Sequence, residues 1–107
     1  MPIVFVHNTL LIAPESRSVF VANEKIDLTR QEFDLLHYLV INHGRVLSYS
    51  QILKRIWGGD HESSERNVLW DAMKRLRGKL RTDPSGQEYI ENVRDFGYWI
   101  PPVPEND

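Results

Sequence analysis

Residues 67–81, NVLWDAMKRLRGKLR, decide the fold. Leu69, Met73, Leu76 and Leu80 recur at i, i+4, i+7 and i+11, one apolar stripe at the 3.6-residue helical period. At 100° per residue the opposite face collects Asn67, Asp71, Lys74, Arg75, Gly78 and Arg81. Surface helices ordinarily mix charge signs, but here Lys74, Arg75, Arg77, Lys79 and Arg81 stand against a single acid, Asp71. The spacing predicts a helix over about 64–81 with a buried back and a basic front.

The charge balance of the whole chain hides this segment. The 107 residues carry a net charge of −2, which by itself argues weakly against a nucleic-acid partner. Residues 66–81, however, hold six basic residues and one acidic residue, a local +5 that leaves −7 for the rest. Nucleic-acid binding follows where positive charge sits more than its total.

Upstream, the short β-prone runs IVFV (3–6), LLIA (10–13), SVFV (18–21) and KIDL (25–28) are separated by turn-rich pieces and predict a small antiparallel sheet of three or four strands. Thr29 with Glu32 three residues later forms a capping box ahead of FDLLHYLVI. Phe33, Leu36, Leu39 and Val40 repeat at helical spacing, and Gly44 stands where a C-terminal cap belongs, which predicts a helix over about 30–42. RVL reads as a short link. Ser48 with Gln51 is a second capping box, and Ile52, Leu53, Ile56 and Trp57 supply the apolar face of the next helix. GGDHESS is a polar, glycine-led loop. After the third helix, YIENVR and YWI flank DFG as a terminal hairpin over about 89–100, and Pro101, Pro102 and Pro104 stop its last strand.

This order predicts an α+β fold: a winged helix-turn-helix with an N-terminal antiparallel sheet, three helices and a C-terminal β-hairpin wing. With neither repeats nor a linker, residues 1–107 read as one domain of a size that supports a single core. A helix is the element that fits a major groove, where Arg and Lys read guanine O6 and N7. The bland reading is that a basic helix face is simply solvated. The hairpin and the helix order bring groove reading level with it without deciding between them, and a further alternative is a winged helix that binds protein without specific DNA binding.

Other chemistries are poorly served. His7, His37, His43 and His61 are scattered with no ligand partner at i+4, and the chain has no cysteine, so neither a metal site nor a disulfide is expected. HE at 61–62 lacks the second histidine of a zincin, and there is neither a phosphate-binding glycine loop nor a nucleophile elbow. Ser48 and either Ser63 or Ser64 are explained as helix caps. The expectation is no enzyme and no cofactor. No run approaches the roughly 18 apolar residues of a membrane span, and the first residues have no signal-peptide pattern, so a cytoplasmic protein is expected. Among the tryptophans, Trp57 reads as core and Trp99 is divided between sheet packing and an interface. Trp70, at the edge of the exposed face, either covers the wing or contacts a thymine methyl or a sugar. Asp71 either pairs with Arg75 at i+4 or accepts a hydrogen bond from cytosine N4; the second reading is slightly favoured.

LTRQEFDLLHYLVINHGRVLSYSQILKRIWG (28–58), KRLRGKL (74–80) and IENVRDFGYWI (90–100) resemble the C-terminal DNA-binding domain of OmpR/PhoB-type response regulators, over about residues 5–100. The resemblance implies a winged helix with a four-stranded N-terminal sheet, and a transcription regulator that binds double-stranded DNA, usually as a dimer on direct repeats. It makes 64–81 the recognition helix, with Asn67, Val68, Trp70, Asp71, Lys74, Arg75, Arg77 and Gly78 on the DNA side and Arg94 as the wing arginine. Gly58, Gly59, Asp60, His61 and Glu62 match the loop some members use to touch RNA polymerase. Asn67, Trp70 and Ala72 depart from the family's Arg, Asp and His, and Asp95 replaces the first glycine of its wing pattern. Fold and general role do not depend on these positions; base specificity and the wing's grip do. The receiver domain that usually precedes this module is not in these residues, so the resemblance implies a longer protein or a stand-alone regulator.

Overall fold

The computed structural model describes residues 4–7, 9–58, 66–80 and 88–102. The chain runs β1 (Val4–His7), β2 (Leu10–Ala13), β3 (Ser18–Val21), β4 (Glu24–Ile26), α1 (Arg30–Ile41), β5 (Leu47–Ser48), α2 (Tyr49–Trp57), α3 (Arg66–Leu80), β6 (Glu91–Val93) and β7 (Gly97–Trp99). The first four strands form an antiparallel meander in the order β1-β2-β3-β4. The α+β winged-helix fold expected from the sequence is the one found.

Both capping boxes are present. Thr29 Oγ1 accepts the Glu32 N–H at 3.2 Å while the Thr29 N–H donates to Glu32 Oε1 at 3.0 Å. Ser48 and Gln51 repeat the exchange at 3.1 and 2.8 Å. Each box satisfies amides that a helix start leaves without partners. The end of α1 differs from expectation. Asn42 is its cap, and Gly44 lies further on at φ 84°, its N–H bonded to Ile100 O at 2.7 Å. That glycine serves a left-handed turn that carries the chain away from the helix.

The core joins all parts. Leu10, Ile12 and Val19 of the sheet meet Phe33, Leu36, Leu39 and Val40 of α1, Ile52 and Leu53 of α2, and the stripe Leu69, Met73, Leu76 and Leu80 of α3. Ile56 and Trp57 pack half-buried against its edge. No described helix is long and apolar enough to cross a membrane.

The link RVL holds an element that local pattern did not announce. Leu47 and Ser48 pair with Tyr98 and Gly97, so the terminal hairpin becomes a three-stranded sheet in the order β5-β7-β6. Ser48 thereby starts α2 and pairs with the wing at the same residue.

Candidate nucleic-acid interface

Helix α3 turns its apolar stripe inward and its other face out. Leu69, Ala72, Met73, Leu76 and Leu80 are at most 1% exposed. Asn67, Val68, Trp70, Asp71, Lys74, Arg75 and Gly78 are exposed. Ala72, which aligns with a family histidine, faces the core, so no longer side chain fits there without displacing neighbours.

The cations of this helix are not equivalent. Lys79 Nζ lies 2.6 Å from Glu32 Oε1, and Arg75 Nε lies 3.8 Å from Glu32 Oε2. Glu32 is almost fully buried on the inner side of α1. Burial pushes its carboxyl up, but hydrogen bonds from Lys79 and Thr29, with the Lys79 charge, outweigh it and hold the group below the usual carboxylate value. Arg77 points elsewhere: Nη2 bonds Glu88 Oε2 at 2.7 Å, tying α3 to the start of the wing. Its Nε is buried without a partner among the described residues. Lys74 Nζ sits 5.2 Å from the Trp70 ring centroid, within cation–π range. Asp71 has no ion pair among the described residues, and Arg75, four positions on, faces Glu32 instead.

The wing stands beside this face. Its turn, 94–96, is closed by the Phe96 N–H on Val93 O at 3.0 Å and projects Arg94, Asp95 and Phe96 into solvent. Asp95 adopts φ 63°, a left-handed conformation suited to the family's glycine and better tolerated by Asp than by most residues. The Tyr49 N–H donates to Phe96 O at 3.0 Å, and the Tyr49 and Tyr98 rings meet edge-on at 5.7 Å, which fixes the wing against α2. Burial pushes the Tyr98 hydroxyl above its ordinary pKa, and neighbouring Tyr49 adds to this. Trp99 is half-buried with its Nε1 donating to Glu91 Oε1 at 3.2 Å, a contact within the wing sheet.

Among the described residues, two clefts of about 390 and 350 Å3 separate α3 from the wing, and Trp70 and Tyr98 wall both. With 56% of its surface exposed, Trp70 is therefore not simply a lid over the hairpin. Of the expected set, Asn67, Val68, Trp70, Asp71, Lys74, Arg75 and Gly78 share one face, Arg94 flanks it, and Arg77 lies to the side. Gly58 ends α2 at φ 76°, while Gly59, Asp60, His61, Glu62, Ser63, Ser64 and Arg81 lie outside the described residues. Sequence reading assigned Glu32 only a capping role. The missed signal was its spacing: 32, 36, 39 and 40 fall on one helical face, so an acid there needed a cation from another element.

Comparison with known proteins agrees with this geometry. Residues 23–100 match the family model described as Transcriptional regulatory protein, C terminal. The DNA-binding domain of Klebsiella pneumoniae RstA, solved in complex with the RstA box, is similar at 28% identity and a TM-score of 0.82, covering 94% of this chain and 97% of that one. The Bacillus subtilis CssR DNA-binding domain is 32% identical, with a TM-score of 0.72 over 86% of this chain and 99% of that one. Response regulator DrrB, a Thermotoga maritima OmpR/PhoB homologue, matches at 27% identity and a TM-score of 0.75, over 87% of this chain but 42% of its own. That family is one of DNA-binding transcription regulators, not of enzymes. The chain belongs to the OmpR/PhoB-type C-terminal DNA-binding domains of transcriptional regulatory proteins.

Proposed function

We propose that this domain binds double-stranded DNA sequence-specifically, with α3 in the major groove and the hairpin 91–99 on the adjacent minor groove or backbone. The observation that carries the reading is the division of α3: a fully buried stripe behind, and beside the wing a face on which Lys74 and Arg75 are both exposed. Asn67, Val68, Trp70, Asp71, Lys74, Arg75 and Gly78 form the groove-facing set, and Arg94 makes the wing contact. Arg77 contributes charge from the side. Asp71, free of any described cation, accepts from a cytosine amino group. Residues 1–107 act as one cytoplasmic, non-catalytic domain. RNA polymerase at the segment 58–62, a second copy on a direct-repeat site and a receiver domain elsewhere in the protein are the further partners. The RstA domain's solution with its DNA box supports the reading. The test is a gel shift on a duplex recovered by binding-site selection. Salt-dependent, duplex-specific retention is expected, and a protein that selects no sequence would sink it.

Two variants refine it. Arg75→Ala is expected to weaken binding to the selected site by about 1–3 kcal/mol, the value of one good contact to a base. Its melting temperature should change little, because the side chain is 58% exposed and Glu32 keeps Lys79. Unaltered affinity in an Arg75→Ala, Lys74→Ala double variant would show that α3 is not the reader. Arg94→Ala is expected to lower affinity on every duplex, with a salt dependence shallower by about one unit of log–log slope. A loss equal at all salt concentrations would count against a phosphate contact.

A further inference from the structure

We propose that Glu32 is a positioning residue for DNA recognition, holding Arg75 from behind through the Nε edge so that its terminal amino groups face a guanine. The proposal rests on the reading that α3 faces DNA and assigns that reading a source of discrimination. The two oxygens of Glu32 have different partners. Oε1 takes the Thr29 N–H at 3.0 Å and Lys79 Nζ at 2.6 Å, while Oε2 faces Arg75 Nε at 3.8 Å. The carboxylate cannot turn away, because its residue is buried and its other oxygen is fixed by a helix cap.

The side chains of α3 show why this matters for Arg75 in particular. Lys79 is committed to the same carboxylate, Arg77 to Glu88, and Lys74 lies against Trp70. Arg75 combines an inner edge within ion-pair reach of Glu32, at 3.8 Å, with a 58% exposed side chain. A guanidinium is planar, and its Nε side and its terminal fork are separate hydrogen-bonding edges. An acid on the first edge leaves the second for guanine O6 and N7, and it reduces the rotamer freedom that binding would otherwise remove.

The test is Glu32→Gln, with affinities measured on the selected duplex and on a random duplex. The fold should survive, since the box at Ser48 already uses glutamine at the equivalent place; circular dichroism checks this. Affinity for the selected duplex is expected to fall by about 2- to 12-fold, the range for ordering one long side chain. Affinity for the random duplex should not fall, because a negative charge near the phosphates has been removed. In an Arg75→Lys background, which keeps the charge but lacks the fork, Glu32→Gln should cost no further selectivity. Parallel loss on both duplexes, or the same loss of selectivity in the Arg75→Lys background, would overturn the proposal by making Glu32 merely structural. A wild-type protein with no preferred duplex fails differently: it removes the DNA reading itself, and this proposal with it.

Discussion

Gly97→Ala is expected to detach the wing. A Cβ at this position would lie 1.7 Å from Leu47 O, 2.7 Å from Leu47 C and 2.9 Å from Ser48 Cα. All three are backbone atoms of β5, so no side-chain rotation relieves the clash. Either β7 lifts off β5, losing the Ser48–Gly97 and Leu47–Tyr98 pairs, or β5 moves and distorts the N-cap of α2. Ordinary overpacking costs roughly 1–3 kcal/mol, and a clash with unyielding backbone should exceed that. Total domain stability is only about 5–15 kcal/mol. Thermal melting is the measurement, with a fall of roughly 4–8 °C for each kcal/mol in a domain near this size. Gly78→Ala is the internal control: outside the helix's own backbone no described heavy atom lies within 4 Å of the added carbon, and a helix interior gains about 1 kcal/mol from alanine over glycine. Melting of Gly97→Ala within a degree or two of wild type would refute the steric account.

Lys79→Met should be the next most damaging change, and its effect should depend on pH. Removing one partner of a buried ion pair costs roughly 3–5 kcal/mol because the remaining charge is left desolvated. The value here belongs at or below the lower end, since the Lys79 side chain is 39% exposed and both Arg75 and the Thr29 N–H remain. In the wild type the folded-state pKa of Glu32 is depressed relative to the unfolded chain. A depressed carboxylate pKa contributes stability that is present above the unfolded value of about 4.3 and is lost as pH falls through the folded value. Lys79→Met raises the folded value and removes that contribution. Denaturant melts should therefore show the largest difference between the two proteins near pH 7 and convergence below about pH 4. A difference of constant size from pH 7 to pH 3 would mean that Lys79 acts by packing alone.

What the sequence made legible was local and periodic. The stripe Leu69, Met73, Leu76 and Leu80 is buried as its spacing required, and both capping boxes close because their partners are three residues apart. The four N-terminal strands also followed short-range pattern, each pairing with the next. Long-range pairings were hidden. Two residues of β5 carry no signal of their own, and only Tyr98 and Gly97 make them a strand. Glu32 was masked by a sufficient local explanation, its cap, which left its contact with α3 unasked. Arg77 has the same residue type as Arg75 and lies two positions away, yet Glu88 draws it off the exposed face. The glycine expected at the wing turn is an aspartate at φ 63°, so the turn geometry outlived the residue that usually supplies it.

The pairing of β5 with β7 also sets an order of assembly. Each strand of the N-terminal meander finds its partner a few residues away, whereas Ser48 must wait for Gly97, forty-nine positions later. The hydrogen bond between Thr9 Oγ1 and the Tyr89 hydroxyl spans eighty. Long loops are closed late, because their entropy is lost before their contacts form. On a chain emerging from its N-terminus, α2 and most of α3 exist before the strand that completes the edge of β5. Strand β6 has one neighbour, and its Glu91 and Asn92 are exposed, so its amides are expected to exchange with solvent ahead of those in α1 and α3. Strand β7 is thus the last element in, yet it becomes the middle of its sheet with Tyr98 buried, so the wing takes its grip only when that closure is made.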